Sequence, residues 1–352
     1  MSSPQKQPCL MRVPFGVVLA LYTNSRHHSF HTLSKTSRLT GMSGYIRSSS
    51  CNGGANDGNL CLFDFDANLM HHDLKSRLSE VISNAQEHGV KYFGVPGTTL
   101  AESKDIMELI KSETYGSAIL GTCGVHPYHA GEEPLNTLEQ LEELRQLITL
   151  PQCLGVGECG LDYSEGFPSN EVQLKCFEEQ IKLSVEFNKP LYLHVRNAHD
   201  DFMTLMTKYG FVNNENEGAN SDNSSIGGPV AAVHCFTGNN DELTQYVSLG
   251  FYIGLTGYVL KLSEEELKVI VDKIPNNKLL IETDAPYMGF AGCQTNFPEF
   301  KDKKKVKKTR FPNLPSALPF VLERIASVKN MSEEECAEIT TRNALRFFEN
   351  KR

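Results

Sequence analysis

Eight short apolar runs punctuate this chain, separated by longer stretches in which apolar residues recur every three or four positions. The runs are LFDF (62–65), KYFGVPG (91–97), AILGTCGV (118–125), CLGVGE (153–158), PLYLHV (190–195), PVAAVH (229–234), FYIGLTG (251–257) and KLLIETD (278–284). Helical spacing occupies 73–89, 102–114, 136–149, 171–188, 198–209, 241–249 and 263–274; Leu174, Phe177, Ile181 and Val185 show the pattern. Pro315 opens another helix near its first turn, and 332–349 reads as helical too. Strands apolar on both faces must be covered on both sides, which predicts parallel pairing with helical crossovers.

Four of the runs end on or beside a residue able to bind a divalent cation. These are Glu158 in LGVGECGLDY, His194 in LYLHVRNA, His234 in VAAVHCFTG and Asp284 in LLIETDAPYM. A carboxylate or imidazole after a buried strand sits at the strand's carboxyl end, where a parallel α/β barrel builds its active site. An open doubly wound sheet would gather its site at one switch point instead. Ligands drawn from several strand ends therefore favour a closed TIM (β/α)8 barrel, with the site at its mouth. Surface acids or helix caps would be the ordinary alternative for Glu158 and Asp284, and a hydrogen-bonded structural role for each histidine. An unpaired charge at the end of a buried run is costly, and a cation shared by all four removes that cost.

The chain is 352 residues long, room for one such barrel plus extensions. With 40% hydrophobic and 22% charged residues, its composition is that of a globular protein with a sizeable core. No apolar stretch approaches the roughly 20 residues needed to span a bilayer. Ten cysteines show no paired C-x-x-C spacing, which argues against a structural zinc site and for a reducing compartment.

The net charge of −9 is unevenly spread. Residues 1–60 carry six Lys or Arg and a single acid, Asp57, leaving a net of −14 for the remainder. An acidic body argues against broad electrostatic attraction to nucleic acid but permits a local basic contact. The first 60 residues, rich in Ser, Thr, Arg and His, fit a mitochondrial or plastid transit peptide. A disordered extension, or initiation at Met42 with a cytoplasmic or nuclear product, is the alternative. The expected division is thus 1–60 as leader or extension and 61–352 as a single barrel domain. Two segments interrupt the barrel pattern. NNENEGANSDNSSIGG (213–228) reads as a polar surface insertion, and Lys301–Arg310 packs seven basic residues into ten positions.

The motifs GVHPYHA (124–130), GVGECGLDY (155–163), LHVRNA (193–198), HCFTG (234–238) and ETDAPYM (282–288) closely resemble, in order, those of the TatD-type metal-dependent deoxyribonucleases. The resemblance spans about 62–349. It implies an amidohydrolase-like TIM-barrel hydrolase that cuts DNA phosphodiester bonds with bound divalent metal. By position, Glu158, His194, His234 and Asp284 become metal ligands, Glu158 bridges two ions, and Asp284 doubles as the base that takes water's proton. At the first strand, FDFDANL places Asp66 and Asn68 where relatives in the wider superfamily carry the two histidines of H-x-H. Asp66 then either ligates metal or caps the next turn, and Asn68 offers only a weak amide oxygen. Replacing imidazole by carboxylate moves the preference from zinc towards magnesium or manganese.

Three further positions extend the expected site. His126 either handles a proton or the scissile phosphate, or bonds backbone. Arg196 either grips phosphate oxygens through its planar fork or is an exposed arginine at a helix start. Arg310 and Asn313 partly match the family's R-N-E-P signature, although Leu314 stands at the glutamate position. The Lys301–Arg310 run either contacts substrate phosphates without sequence preference or is a solvated loop or nuclear address. The expected activity is metal-assisted phosphodiester hydrolysis with one or two ions. A hydrolase of a small amide, ester or lactone on the same barrel is the rival, because fold alone does not fix substrate. A nucleic-acid-binding scaffold without catalysis is a third reading, disfavoured by the complete ligand set.

Overall fold

The computed structural model describes residues 60–211, 229–296 and 313–350. Each of the eight apolar runs forms a strand: β1 (Leu62–Asp64), β2 (Val90–Val95), β3 (Ile119–Cys123), β4 (Cys153–Asp162), β5 (Leu191–Arg196), β6 (Ala231–Val233), β7 (Tyr252–Leu255) and β8 (Leu279–Ile281). They lie in chain order, every adjacent pair parallel. The last strand meets the first through Phe65 N–H to the Ile281 carbonyl (3.1 Å), Asp284 N–H to Asp66 (2.9 Å) and Asn68 N–H to Ala285 (2.8 Å). The Asp64 carboxylate reinforces that seam by accepting from the backbone N–H (2.7 Å) and hydroxyl (2.6 Å) of Thr283. This is a TIM barrel.

Helices α1 (His72–Lys75), α2 (Leu78–Glu87), α3 (Leu100–Lys111), α4 (Leu138–Thr149), α5 (Asn170–Phe187), α6 (His199–Lys208), α7 (Asn240–Ser248), α8 (Glu264–Lys273), α9 (Leu318–Lys329) and α10 (Glu333–Phe348) lie between and after the strands. Their starts follow local chemistry. Thr99 and Thr137 accept from the backbone N–H three residues on, and Asn239 with Glu242 and Ser263 with Glu266 form capping boxes. Among the described residues, no helix is long and apolar enough to cross a membrane.

Two expectations change. The predicted helix 73–89 is broken at Ser76 and Arg77, where the backbone of Arg77 leaves helical geometry (φ −125°, ψ 25°). Strand β4 runs four residues beyond the expected 153–158, because Cys159–Asp162 continue to pair with Leu193–Arg196 of β5. Glu158 is consequently a mid-strand residue rather than a strand-end one.

The barrel interior is layered. Its floor, at the amino ends of the strands, is filled by Phe63, Phe65, Leu120, Tyr192, Tyr252 and Leu280 together with Phe347 and Phe348 from α10. Phe65 stacks on Tyr192 (4.8 Å between centroids) and meets Phe347 edge-on (5.1 Å). Above the rings, the Tyr192 hydroxyl lies within hydrogen-bond reach of two acceptors, the Phe65 carbonyl (2.9 Å) and Asp66 Oδ2 (2.8 Å), which share its one hydrogen. That hydroxyl marks the change from apolar floor to polar mouth. The expected insertion 213–228, the basic run Lys301–Arg310 and the amino-terminal segment 1–59 lie outside the described residues.

Candidate metal centre

Strand alternation sends Tyr192 and His194 to the inside of β5, so floor and site share one strand. Glu158 reaches the interior from β4, helped by Gly157. That glycine has φ +133°, and a side chain on it would collide with the Tyr192 carbonyl. His234 directly follows β6, and Asp66 and Asp284 follow β1 and β8 across the seam.

Glu158 Oε1 lies 2.7 Å from His234 Nε2, 3.2 Å from His194 Nδ1 and 3.3 Å from His126 Nε2. The two nitrogens His194 Nδ1 and His234 Nε2 are themselves 3.2 Å apart. Metal bonds of about 2.1 Å place neighbouring donors roughly 3.0–3.4 Å apart around one ion, close to the edges of this triangle. On the other side of His234, its Nδ1 is 3.0 Å from Asp66 Oδ2 without the alignment of a hydrogen bond, and 3.7 Å from Glu282 Oε1. Ligand atoms of Asp66, His234 and Asp284 all lie within 4.8 Å of one another, as do those of His126, Glu158 and His194. Asn68 Nδ2 donates to both Asp66 Oδ1 (3.2 Å) and Asp284 Oδ1 (3.0 Å), so its amide bridges the two acids through nitrogen.

Hydrogen bonds around the ring fix which imidazole atom faces inward. His194 Nε2 is held by Asp162 Oδ2 at 3.0 Å, and Asp162 Oδ1 accepts from Ser164 N–H (2.9 Å). Burial alone would raise the Asp162 pKa, but the bonds from His194 and Ser164 outweigh it and hold the carboxyl at about 2. An ionised acceptor keeps the hydrogen on Nε2 and turns the Nδ1 lone pair towards Glu158. In His126 the pattern is reversed. Tyr128 N–H donates to its Nδ1 (3.1 Å), so Nε2 carries the hydrogen that faces Glu158. His126 therefore turns an N–H towards Glu158, whereas the His194 atom that faces Glu158 is Nδ1, whose lone pair is open to a cation when the ring is neutral.

Burial and crowding set the remaining charges. Burial would raise Glu158, but the imidazoles of His234 and His126 pull it well below the ordinary carboxylate range. Burial would lower His234, yet Glu158 and Asp66 push it well above the usual value. Burial and the neighbouring Asp66 charge lift Asp284 to about 8. Too many acids share this space for all to ionise without a cation. Glu282 adds another: it is fully buried, Oε1 accepts from Cys235 N–H, and Oε2 has no hydrogen-bond partner among the described residues. Gly254 makes room for it, since a Cβ there would sit 2.7 Å from both carboxylate oxygens.

The structure thus brings Asp66, Asn68, His126, Glu158, His194, His234 and Asp284 to one point. Arg196 ends β5 on the same side as Tyr192 and His194 but stands exposed at the rim. Asn313 is buried away from the centre, bonding the Thr283 carbonyl (2.8 Å) and the Pro286 carbonyl (2.9 Å), so it pins the loop that carries Asp284. Leu314 beside it is buried, and Arg310 lies outside the described residues.

Sequence reading missed Asp64, Asp162, Glu282 and two glutamines of α5. Gln180 clamps both backbone groups of Val125 (2.8 and 2.9 Å), next to His126. Gln173 does the same to Asp162 (2.8 and 2.7 Å). The glutamines are seven residues apart, two turns along one helix face, a spacing that the sequence does contain.

A parallel barrel whose mouth gathers carboxylates and imidazoles at coordination spacing defines a metal-dependent hydrolase of the TIM-barrel class. The TatD-related DNase family model matches residues 63–349, and the chain belongs to that family. It is 32% identical over 288 residues to the 3'-5' ssDNA/RNA exonuclease TatD of Escherichia coli (strain K12), covering 82% of this chain and 98% of that protein. The protein of the same description from Shigella flexneri serotype 5b (strain 8401) is also 32% identical with the same coverage. Among solved structures, a TatD family hydrolase from Entamoeba histolytica superposes with a TM-score of 0.66 at 24% identity, over 82% of this chain and 98% of that one. An uncharacterized amidohydrolase from Saccharomyces cerevisiae gives 0.64 at 24%, over 82% and 99%; at such identity these two attest the fold.

Proposed function

We propose that this protein hydrolyses phosphodiester bonds of single-stranded DNA, and by similarity RNA, from a free 3′ end. The observation that carries this reading is the triangle of Glu158 Oε1, His194 Nδ1 and His234 Nε2, with Asp66 and Asp284 alongside. The nuclease activity of its 32%-identical relatives supports the choice of substrate over a small amide, ester or lactone.

The donor set fits a divalent cation: Glu158, His194 and His234 would hold one ion, and Asp66 and Asp284, with Glu158 shared, a second. The oxygen-rich Asp66–Asp284 side favours Mg²⁺ or Mn²⁺, and the imidazole side would also accept Zn²⁺. Such a cation supplies Lewis acidity towards water and towards phosphate oxygens. The chain's own groups do the rest. Asp284, which shares one small space with Asp66 and His234, is the carboxylate placed to take a proton from water. His126 holds a hydrogen on Nε2 at the opposite edge, ready for the leaving oxygen. Arg196 grips non-bridging phosphate oxygens at the rim, and Lys301–Arg310 adds phosphate contacts further along the strand. Residues 61–352 form the catalytic domain, and 1–60 act as an organellar leader.

The test uses metal-stripped protein and 3′-labelled, 5′-labelled and circular single-stranded DNA, with and without added Mg²⁺ or Mn²⁺. Stepwise loss of the 3′ label with circles left intact is expected. Cut circles would replace the exonuclease reading by an endonuclease one, and no cleavage with any divalent ion would end the nuclease reading.

A further inference from the structure

Six large hydrophobic side chains are exposed among the described residues, and their positions separate by chemistry. The aliphatic ones, Leu138, Leu150, Val185 and Val269, lie on or at the end of outer helices. The two aromatic ones, Tyr128 (56% exposed) and Tyr287 (53%), both sit on loops at the carboxyl ends of strands, after β3 and β8. An exposed tyrosine forgoes the burial its ring would gain, so two at the mouth and none elsewhere among the described residues calls for a ligand with a flat face.

Each ring is braced by another aromatic edge-on. Tyr128 meets Phe167 at 5.4 Å and 82°, and Phe167 in turn reaches His126 at 6.3 Å, beside Glu158. On the other wall, Tyr287 meets His71 at 5.4 Å and 73°. Its N–H donates to the Asp284 carbonyl at 2.7 Å, which ties that ring to the metal centre's own loop. In the strand order, β2 separates the two walls on one side and β5–β7 on the other, so the rings stand apart around the mouth. A strand threaded past the centre would meet one ring before the reacting phosphate and one after it.

We propose that Tyr128 and Tyr287 are base-stacking residues, each gripping one of the two nucleotides that flank the scissile phosphodiester. This rests on the nuclease reading above. It assigns substrate affinity to stacking at two points, which suits a chain whose residues beyond 60 carry a net charge of −14 and offer little general attraction to phosphate. Stacked duplex DNA hides the faces these rings require, so single strands with free bases are the substrate they fit.

The experiment measures kcat and KM for Mg²⁺- or Mn²⁺-loaded full-length protein on single-stranded oligonucleotides. One substrate is intact, and two carry a single abasic tetrahydrofuran residue on one or the other side of the cut. Tyr128→Ala and Tyr287→Ala are each expected to raise KM for the intact strand about tenfold, within the range of one lost base–aromatic stack. Each substitution should add no further loss on the substrate that lacks its own base, while still penalising the other abasic strand. Tyr128→Phe and Tyr287→Phe, which keep the ring, should restore the wild-type KM. Alanine variants that match wild type on the intact strand, or lose equally on all three substrates, would overturn the proposal. A wild-type protein that cuts no oligonucleotide would instead overturn the nuclease reading, and this proposal with it.

Discussion

Asp162→Asn is the sharpest probe of how this chain prepares an imidazole for metal. Both Asp162 oxygens are acceptors, one for His194 Nε2–H at 3.0 Å and one for Ser164 N–H at 2.9 Å. Asparagine keeps the shape but offers one acceptor and one NH₂. If its oxygen faces Ser164, its NH₂ confronts His194 Nε2 and drives the imidazole into the other tautomer. The hydrogen then sits on Nδ1, pointing at Glu158 Oε1, and the lone pair that should meet the cation is lost. If the oxygen faces His194 instead, the NH₂ opposes Ser164 N–H and the β4 end must shift. Removing such an outer partner of a ligating histidine typically lowers metal affinity 10- to 100-fold, or about 1.4–2.7 kcal/mol. Calorimetric titration of metal-stripped wild type and variant with Mn²⁺, alongside activation curves for single-stranded DNA cleavage, reads the effect. Unchanged affinity and an unchanged activation midpoint would refute the claim that Asp162 sets the His194 tautomer.

Three other outcomes are expected. The wild-type advantage in stability over Asp162→Asn should depend on pH in one direction. With the folded pKa depressed to about 2, it is fully present above the ordinary carboxylate value of about 3.9 and fades as pH falls towards 2, as urea unfolding at several pH values will show. Asp64→Ala leaves the Thr283 N–H and hydroxyl without acceptors at the barrel seam and should lower unfolding free energy by about 3 kcal/mol in the same assay; a change under 1 kcal/mol would mean the seam relaxes. Gln180→Leu strips both backbone partners from Val125. It should cost about 2 kcal/mol and reduce kcat at least tenfold by loosening His126, and a stability loss with full kcat would rule out a positioning role.

How far the fold and site could be read in advance depended on whether a signal is local. Eight apolar runs, each bounded by polar turns, located every strand, because burial on both faces leaves a continuous mark in the chain. Glu158, His194, His234 and Asp284 were legible for the same reason, being polar residues set into or just after such runs. The extension of β4 to Asp162 was not, since Gly160 and the Asp162–Tyr163 pair read as a loop until β5 pairs with them. Asp64 was hidden inside LFDF, where one acid in an apolar run looks like noise until Thr283, 219 residues away, is known to face it. Gln173 and Gln180 were hidden differently: a glutamine on an amphipathic helix looks like solvent-facing surface. Only the fold reveals that Gln173 and Gln180 lie on the buried face of α5, beside Cys176, Phe177 and Ile181, and clamp two segments of the site.

Phosphodiester hydrolysis should depend on a metal centre formed by Glu158, His194 and His234. The most direct test follows release of nucleotides from a single-stranded oligonucleotide by metal-stripped wild type and Glu158→Ala as Mg²⁺ or Mn²⁺ is titrated in, with circular dichroism confirming the fold of both. No turnover is expected without metal, together with saturable activation of wild type and a Glu158→Ala protein that stays folded but inactive at every concentration. Equal turnover by the two proteins, or wild-type turnover that persists after chelation, would contradict it.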